Sequence, residues 1–146
     1  MGFSHIFAID SSRKALDSLS RLIGNNSETV RFIQCDATSE NFPDLNGVDL
    51  WHDRTFLHFL RDEGERQRYL DNMRRTLRVN GYVILVEHSK AGPGYCSGLP
   101  LFKYSVEHFK EFLGEGFSLH ESFIAYQSTP SGDKRSLIYA IFRRVS

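Results

Sequence analysis

Three carboxylates occupy matching points of the chain, each closing or following a short apolar run. Asp10 follows His5-Ile6-Phe7-Ala8-Ile9, Asp36 follows Val30-Arg31-Phe32-Ile33-Gln34-Cys35, and Asp53 lies two residues past Trp51. In an open α/β sheet, ligands bind outside the carboxyl ends of the strands. A carboxylate there presents two oxygens, which match the two hydroxyls of a ribose, and Asp36 could accept from an exocyclic amine such as adenine N6. Aspartate also serves at strand ends as a cap or turn residue. His52 and Asp53 are neighbours, so they project differently and do not form a ready acid/base pair, while His58 is expected on a helix after that strand. Cys35 reads as a small buried hydrophobe, and Cys96 sits in a loop with nothing nearby to activate its thiol. Two cysteines are too few for a disulfide scaffold and show no metal-ligand spacing. The stretch holding Arg66, Arg68, Arg74, Arg75 and Arg78 is interrupted by Glu65 and Asp71, as on a solvated helix face.

The elements that must position these groups alternate. Residues 5–9 read as a buried strand, and Ser11 or Ser12 then offers an N-cap oxygen. Ala15, Leu16, Leu19, Leu22 and Ile23 recur at helical spacing up to Gly24-Asn25. Strands follow over 30–35 and 48–51, then a helix over 65–78 with Tyr69, Leu70, Met73 and Leu77 on one stripe, stopped by Asn80-Gly81. Tyr82-Val83-Ile84-Leu85-Val86 is apolar throughout, as a strand buried on both faces requires. A Gly- and Pro-rich loop over 89–100 leads to a helix capped by Ser105, with Val106, Phe109, Phe112 and Leu113 on its face. Residues 117–126 and 136–142 with a polar turn between them predict an antiparallel pair. The expected fold is α/β, a mostly parallel sheet with a C-terminal antiparallel strand pair.

Length and charge bound the rest. The 146 residues fit one domain of about 100–200 residues, so all of 1–146 is expected to form it. Eighteen Lys+Arg balance eighteen Asp+Glu, which indicates no nucleic-acid or anionic-membrane partner. The longest apolar run, 82–86, falls far short of the roughly 20 residues that span a bilayer, and no signal segment is visible. The expected compartment is the cytoplasm.

Residues 7–12, Phe-Ala-Ile-Asp-Ser-Ser, resemble the second strand and following turn of class I S-adenosylmethionine-dependent methyltransferases. Phe32-Ile33-Gln34-Cys35-Asp36-Ala37 is similar to the motif whose Asp lies beside adenine in that family. Val48-Asp49-Leu50-Trp51-His52-Asp53-Arg54 with Phe56 to Leu60 resembles the fourth-strand segment facing donor and acceptor. Leu77-Arg78-Val79-Asn80-Gly81-Tyr82 looks like the family's Leu-Arg-Pro-Gly-Gly turn, with Val79 and Asn80 replacing the usual residues. The terminal antiparallel pair is a further mark of the family.

The resemblance implies a Rossmann-like sheet and S-adenosylmethionine as cofactor. It assigns cofactor binding to Asp10 with Ser11 beside it, to Asp36 and Ala37, and to His52, and it offers Asp53 and His58 as catalytic candidates. The acceptor stays unidentified. The family's first strand and its Gly-rich loop have no counterpart in these residues, so the chain is expected to be N-terminally truncated and inactive or weakly active alone. Three outcomes are expected to avoid an open gap: the residue 5–10 strand closes directly onto residues 47–51, a second copy completes the sheet as a homodimer, or the two halves separate and one becomes disordered. Two other readings stand beside methyl transfer: a non-catalytic remnant acting as an interaction module, and a nicotinamide dinucleotide enzyme. The terminal strand pair and the lack of a pyrophosphate loop disfavour the latter.

Overall fold

The computed structural model describes residues 2–90, 95–96, 99–100 and 102–146. Its packing divides into two compact units, Met1–Pro43 and Asp44–Ser146. In the first, β1 (Ile6–Asp10) and β2 (Val30–Gln34) pair in parallel with Asp10 opposite Gln34, joined by α1 (Arg13–Ile23). Ser12 is the N-cap: its hydroxyl accepts from the Ala15 N–H at 3.2 Å. Gly24, at φ +53°, ends the helix in a backbone conformation that costs glycine little. Of the expected α1 stripe only Leu16 is buried; Leu19 and Leu22 are exposed. Both strands stay half-exposed, because a two-stranded parallel sheet with one helix covers little of its own surface.

The second unit holds the larger core. Four strands lie in the order β3 (Val48–Arg54), β4 (Leu77–His88), β8 (Lys134–Arg144), β7 (Phe117–Ser128), with β3 and β4 parallel and the other pairings antiparallel. A short antiparallel pair, β5 (Tyr95–Cys96) with β6 (Leu99–Pro100), lies apart from this sheet. The Cys96 side chain, and with it the expectation for its thiol, is not described, and residues 91–94 and 97–98 of the expected loop lie outside the described residues. Helix α2 (Glu63–Thr76) is capped by Asp62, whose carboxylate accepts from the Glu65 N–H at 3.0 Å. It buries Tyr69, Leu70 and Met73 as its periodicity predicts. In α3 (Val106–Leu113), Phe109 and Leu113 are buried. Among the described residues no helix is long and apolar enough to cross a membrane.

Asn80-Gly81 does not stop a helix. Helix α2 ends at Thr76 and the chain enters β4 at once. Asn80, at φ +66°, then kinks the strand, so that Val48 pairs with Leu77 but Leu50 with Tyr82. Gly81 is needed for space: a Cβ there would lie 2.9 Å from the Arg78 carbonyl oxygen and 3.0 Å from that of Asp49. Gly81→Ala should therefore lower unfolding free energy by about 1–3 kcal/mol in urea titration, and an unchanged midpoint would refute this crowding.

The expected pairing of residues 5–10 with residues 47–51 is not among the strand pairings of the described residues. Strand β1 pairs with β2 and β3 with β4, in separate sheets. The half-exposure of β1, with Ile6 40% exposed, is what a strand with one paired neighbour shows.

Candidate functional site

In the first unit the parallel register sets the carboxyl ends of β1 and β2 side by side. The Cys35 N–H donates to the Asp10 carbonyl at 3.1 Å and the Gln34 amide to the Ser11 carbonyl at 3.1 Å, tying the two strand ends together. Asp10 and Asp36 are both exposed there. Asp10 Oδ1 accepts from the Ser12 N–H at 2.7 Å, so the turn role weighed for this residue is real and uses one oxygen. Asp36 Oδ1 accepts from both the N–H and the hydroxyl of Thr38, each at 2.8 Å. Each carboxylate thus has one oxygen, Oδ2, that makes no hydrogen bond among the described residues. Ser11 is exposed and Ala37 half-buried beside them. Cys35 is half-buried just past the end of β2, and burial raises its thiol pKa, with the Asp36 charge adding to the effect.

In the second unit β3 delivers His52 and Asp53 to opposite fates, as alternation requires. His52 is exposed, and its pKa is lowered by partial burial and by the Arg54 charge. Asp53 is 8% exposed, and its Oδ2 accepts from the Tyr69 hydroxyl at 2.5 Å. The Trp51 indole N–H donates to that same hydroxyl at 2.9 Å and packs edge-on to the Tyr69 ring at 5.6 Å. Burial pushes the Asp53 carboxyl up to about 6, against the Tyr69 hydrogen bond, which lowers it. Burial and the Asp53 charge raise the Tyr69 hydroxyl well above its usual range.

His58 lies in a single 3₁₀ turn, Leu57–Phe59, and not on a full helix. The turn brings its backbone N–H to Glu87 Oε1 at 3.2 Å and its Nδ1 to Glu87 Oε2 at 2.9 Å. Glu87, near the end of β4, is pushed up to about 7 by burial, although backbone N–H groups of His58, His88 and Leu57 favour its charged form. His88 lies edge-on to His58 at 5.5 Å, and burial lowers the pKa of both rings. From α2, Arg66 donates to the Tyr104 hydroxyl at 3.3 Å and is the cation that favours ionised Glu87.

The second unit therefore gathers Asp53 and His58, both candidates from the sequence, with three residues that sequence reasoning passed over: Tyr69, Glu87 and His88. One signal for Glu87 was present, a carboxylate continuing the apolar run 82–86 of a doubly buried strand. Tyr69 was legible only as part of a core stripe, since nothing in periodicity reveals where a hydroxyl ends up.

A methyltransferase-domain family profile matches residues 1–85. No curated protein matches. Among solved structures, the N-methyltransferase NodS from Bradyrhizobium japonicum is 17% identical with a TM-score of 0.73, over 97% of this chain and 74% of that one. A SAM-dependent methyltransferase from Methanosarcina mazei is 18% identical with a TM-score of 0.73, over 97% and 82%. The 1,6-didemethyltoxoflavin-N1-methyltransferase of Burkholderia thailandensis is 20% identical with a TM-score of 0.68, over 97% and 62%. At these identities the likeness carries the Rossmann-like fold, and the chain spans 62–82% of the three structures' lengths.

Proposed function

Because this chain belongs to the methyltransferase-domain family of class I S-adenosylmethionine-dependent proteins, we propose that it serves methyl transfer to an acceptor and that Asp10 and Asp36 hold the adenosine end of the cofactor. The observation carrying this reading is the pair of exposed carboxylates at the adjoining ends of β1 and β2, each with an unpartnered Oδ2. These residues fit the group: an ionised carboxylate accepts ribose hydroxyls or an adenine amino group without needing to lose its turn contact. Ser11 flanks the ribose position and Ala37 the adenine edge. The cofactor, when bound, supplies an electrophilic methyl group on a sulfonium. The chain's own residues bind and orient it.

Asp10→Ala should weaken S-adenosylmethionine binding by roughly 1.5–3 kcal/mol, the range for a hydrogen bond to a charged group, with folding largely kept. Isothermal titration of both proteins checks this, and equal affinities would return Asp10 to the turn role alone. No heat from the unaltered chain at millimolar cofactor favours the other reading, a non-catalytic methyltransferase-fold module. We read residues 1–146 as part of one methyltransferase-like domain working in the cytoplasm, and its balanced charge supports neither nucleic acid nor membrane as partner. Strands β1 and β3 each have one paired neighbour among the described residues, which leaves an edge for a strand-completing second copy.

A further inference from the structure

Transfer of a methyl group requires a lone pair on the acceptor and in-line placement. A base is needed only when the acceptor arrives protonated. The second unit holds a side-chain pair suited to that need. His58 follows the carboxyl end of β3, the side on which open α/β sheets bind ligands. Glu87 grips it twice, through the backbone N–H at 3.2 Å and through Nδ1 at 2.9 Å. The Glu87 side chain is 1% exposed and that of His58 10%. Nε2 makes no hydrogen bond among the described residues. A ring whose Nδ1 faces a fixed ionised carboxylate, as Glu87 is above about pH 7, keeps its proton on that side and presents the Nε2 lone pair.

We propose that His58 is the general base of the reaction, with Glu87 as its positioning residue, and that the acceptor is a neutral O–H or S–H group. This rests on the methyltransferase reading above and adds the acceptor's chemical class to it. In the proton step the O–H or S–H bond breaks, its electron pair stays on oxygen or sulfur, and the proton forms a bond to Nε2. The ring then carries a positive charge, which ionised Glu87 balances. The charged and titratable groups facing the pair are Asp53 from β3, His88 from β4, Arg66 and Tyr69 from α2, and Tyr104 ahead of α3.

The test has two readouts. Nitrogen-15 spectra of the histidine rings in the whole chain should show His58 with its proton on Nδ1 at mildly alkaline pH, where Glu87 is ionised, and Glu87→Gln should weaken that preference. A neutral His58 protonated on Nε2 overturns the proposal, and this result needs no variant to fold. The second readout is methyl transfer from S-adenosylmethionine to phenol or phenylmethanethiol, compared with iodide, which carries no proton. His58→Gln should slow transfer to phenol or the thiol about 10²–10⁴-fold more than transfer to iodide. Equal losses on both kinds of probe, or turnover of iodide alone by the unaltered chain, overturn the proposal. An unaltered chain that binds no S-adenosylmethionine and methylates no probe contradicts the methyltransferase reading itself, and the ring tautomer then still decides whether Nε2 is a base.

Discussion

Phe142→Ala is expected to cost about 3–5 kcal/mol of unfolding free energy, read from urea titration. Phe142 is fully buried on β8, the strand with antiparallel neighbours on both sides, opposite Val83 of β4 and Leu119 of β7. Truncation removes an aromatic ring and leaves a void that strands paired on both sides cannot collapse to fill. The same change at Phe123, 47% exposed on strand β7 and stacked on Tyr139, offers the comparison, since less apolar surface is removed from water there and a smaller loss is expected. Comparable losses at the two positions would mean that the core is not centred on β8.

The second large effect depends on pH. Burial keeps the Glu87 carboxyl protonated in the folded chain up to about 7, whereas in the unfolded chain it ionises near 4.5. Between those values the unfolded chain has released a proton that the folded chain retains, so folding stability falls as pH rises and the loss is complete above about 7. Glutamine has nearly the same shape and never ionises. Relative to the unaltered protein, Glu87→Gln should therefore gain about 3 kcal/mol between about pH 4.5 and pH 7.5, at about 1.4 kcal/mol for each tenfold change in proton affinity. The lowered pKa values of His58 and His88 act with the opposite sign, since the unfolded chain binds their protons first as pH falls below 6.5. Both rings are present in both proteins, so most of their effect cancels in the comparison. A difference that stays flat with pH would sink the assignment of a buried, protonated Glu87.

Elements whose signal is local were legible. The period-two runs and the polar turn over 128–133 gave the β7–β8 hairpin, and the structure ties that turn with a Thr129 N–H to Asp133 carbonyl bond of 2.8 Å. The carboxylates of the first unit were legible for the same reason, because an Asp closing an apolar run has few places to go. What depends on distant partners was not. Leu19 and Leu22 have the spacing of a buried stripe, but periodicity states which face is apolar and not whether anything covers it. Asn80-Gly81 has the chemistry of a helix stop and instead kinks a strand, because Leu77 is fully buried opposite Val48 and holds the chain in the sheet. The Glu87–His58 pair joins residues 29 positions apart, and no spacing rule reaches across that distance. Burial of Glu87 was foreshadowed by its strand; the identity of its partner was not.

Strand β4 is hydrogen-bonded on both sides, to β3 and to β8, and its segment from Val83 to Glu87 is buried apart from Ile84. Amide protons there can meet solvent deuterium only when the whole second unit opens, so their exchange should report that unit's global stability. Among the described residues strand β7 has a neighbour on one side alone, and the pair β1–β2 belongs to a different compact unit. The slowest-exchanging amides should therefore cluster in β4 and β8, with β1 and β2 forming a faster class that opens by itself, and a single uniform rate class across all four strands would contradict the division.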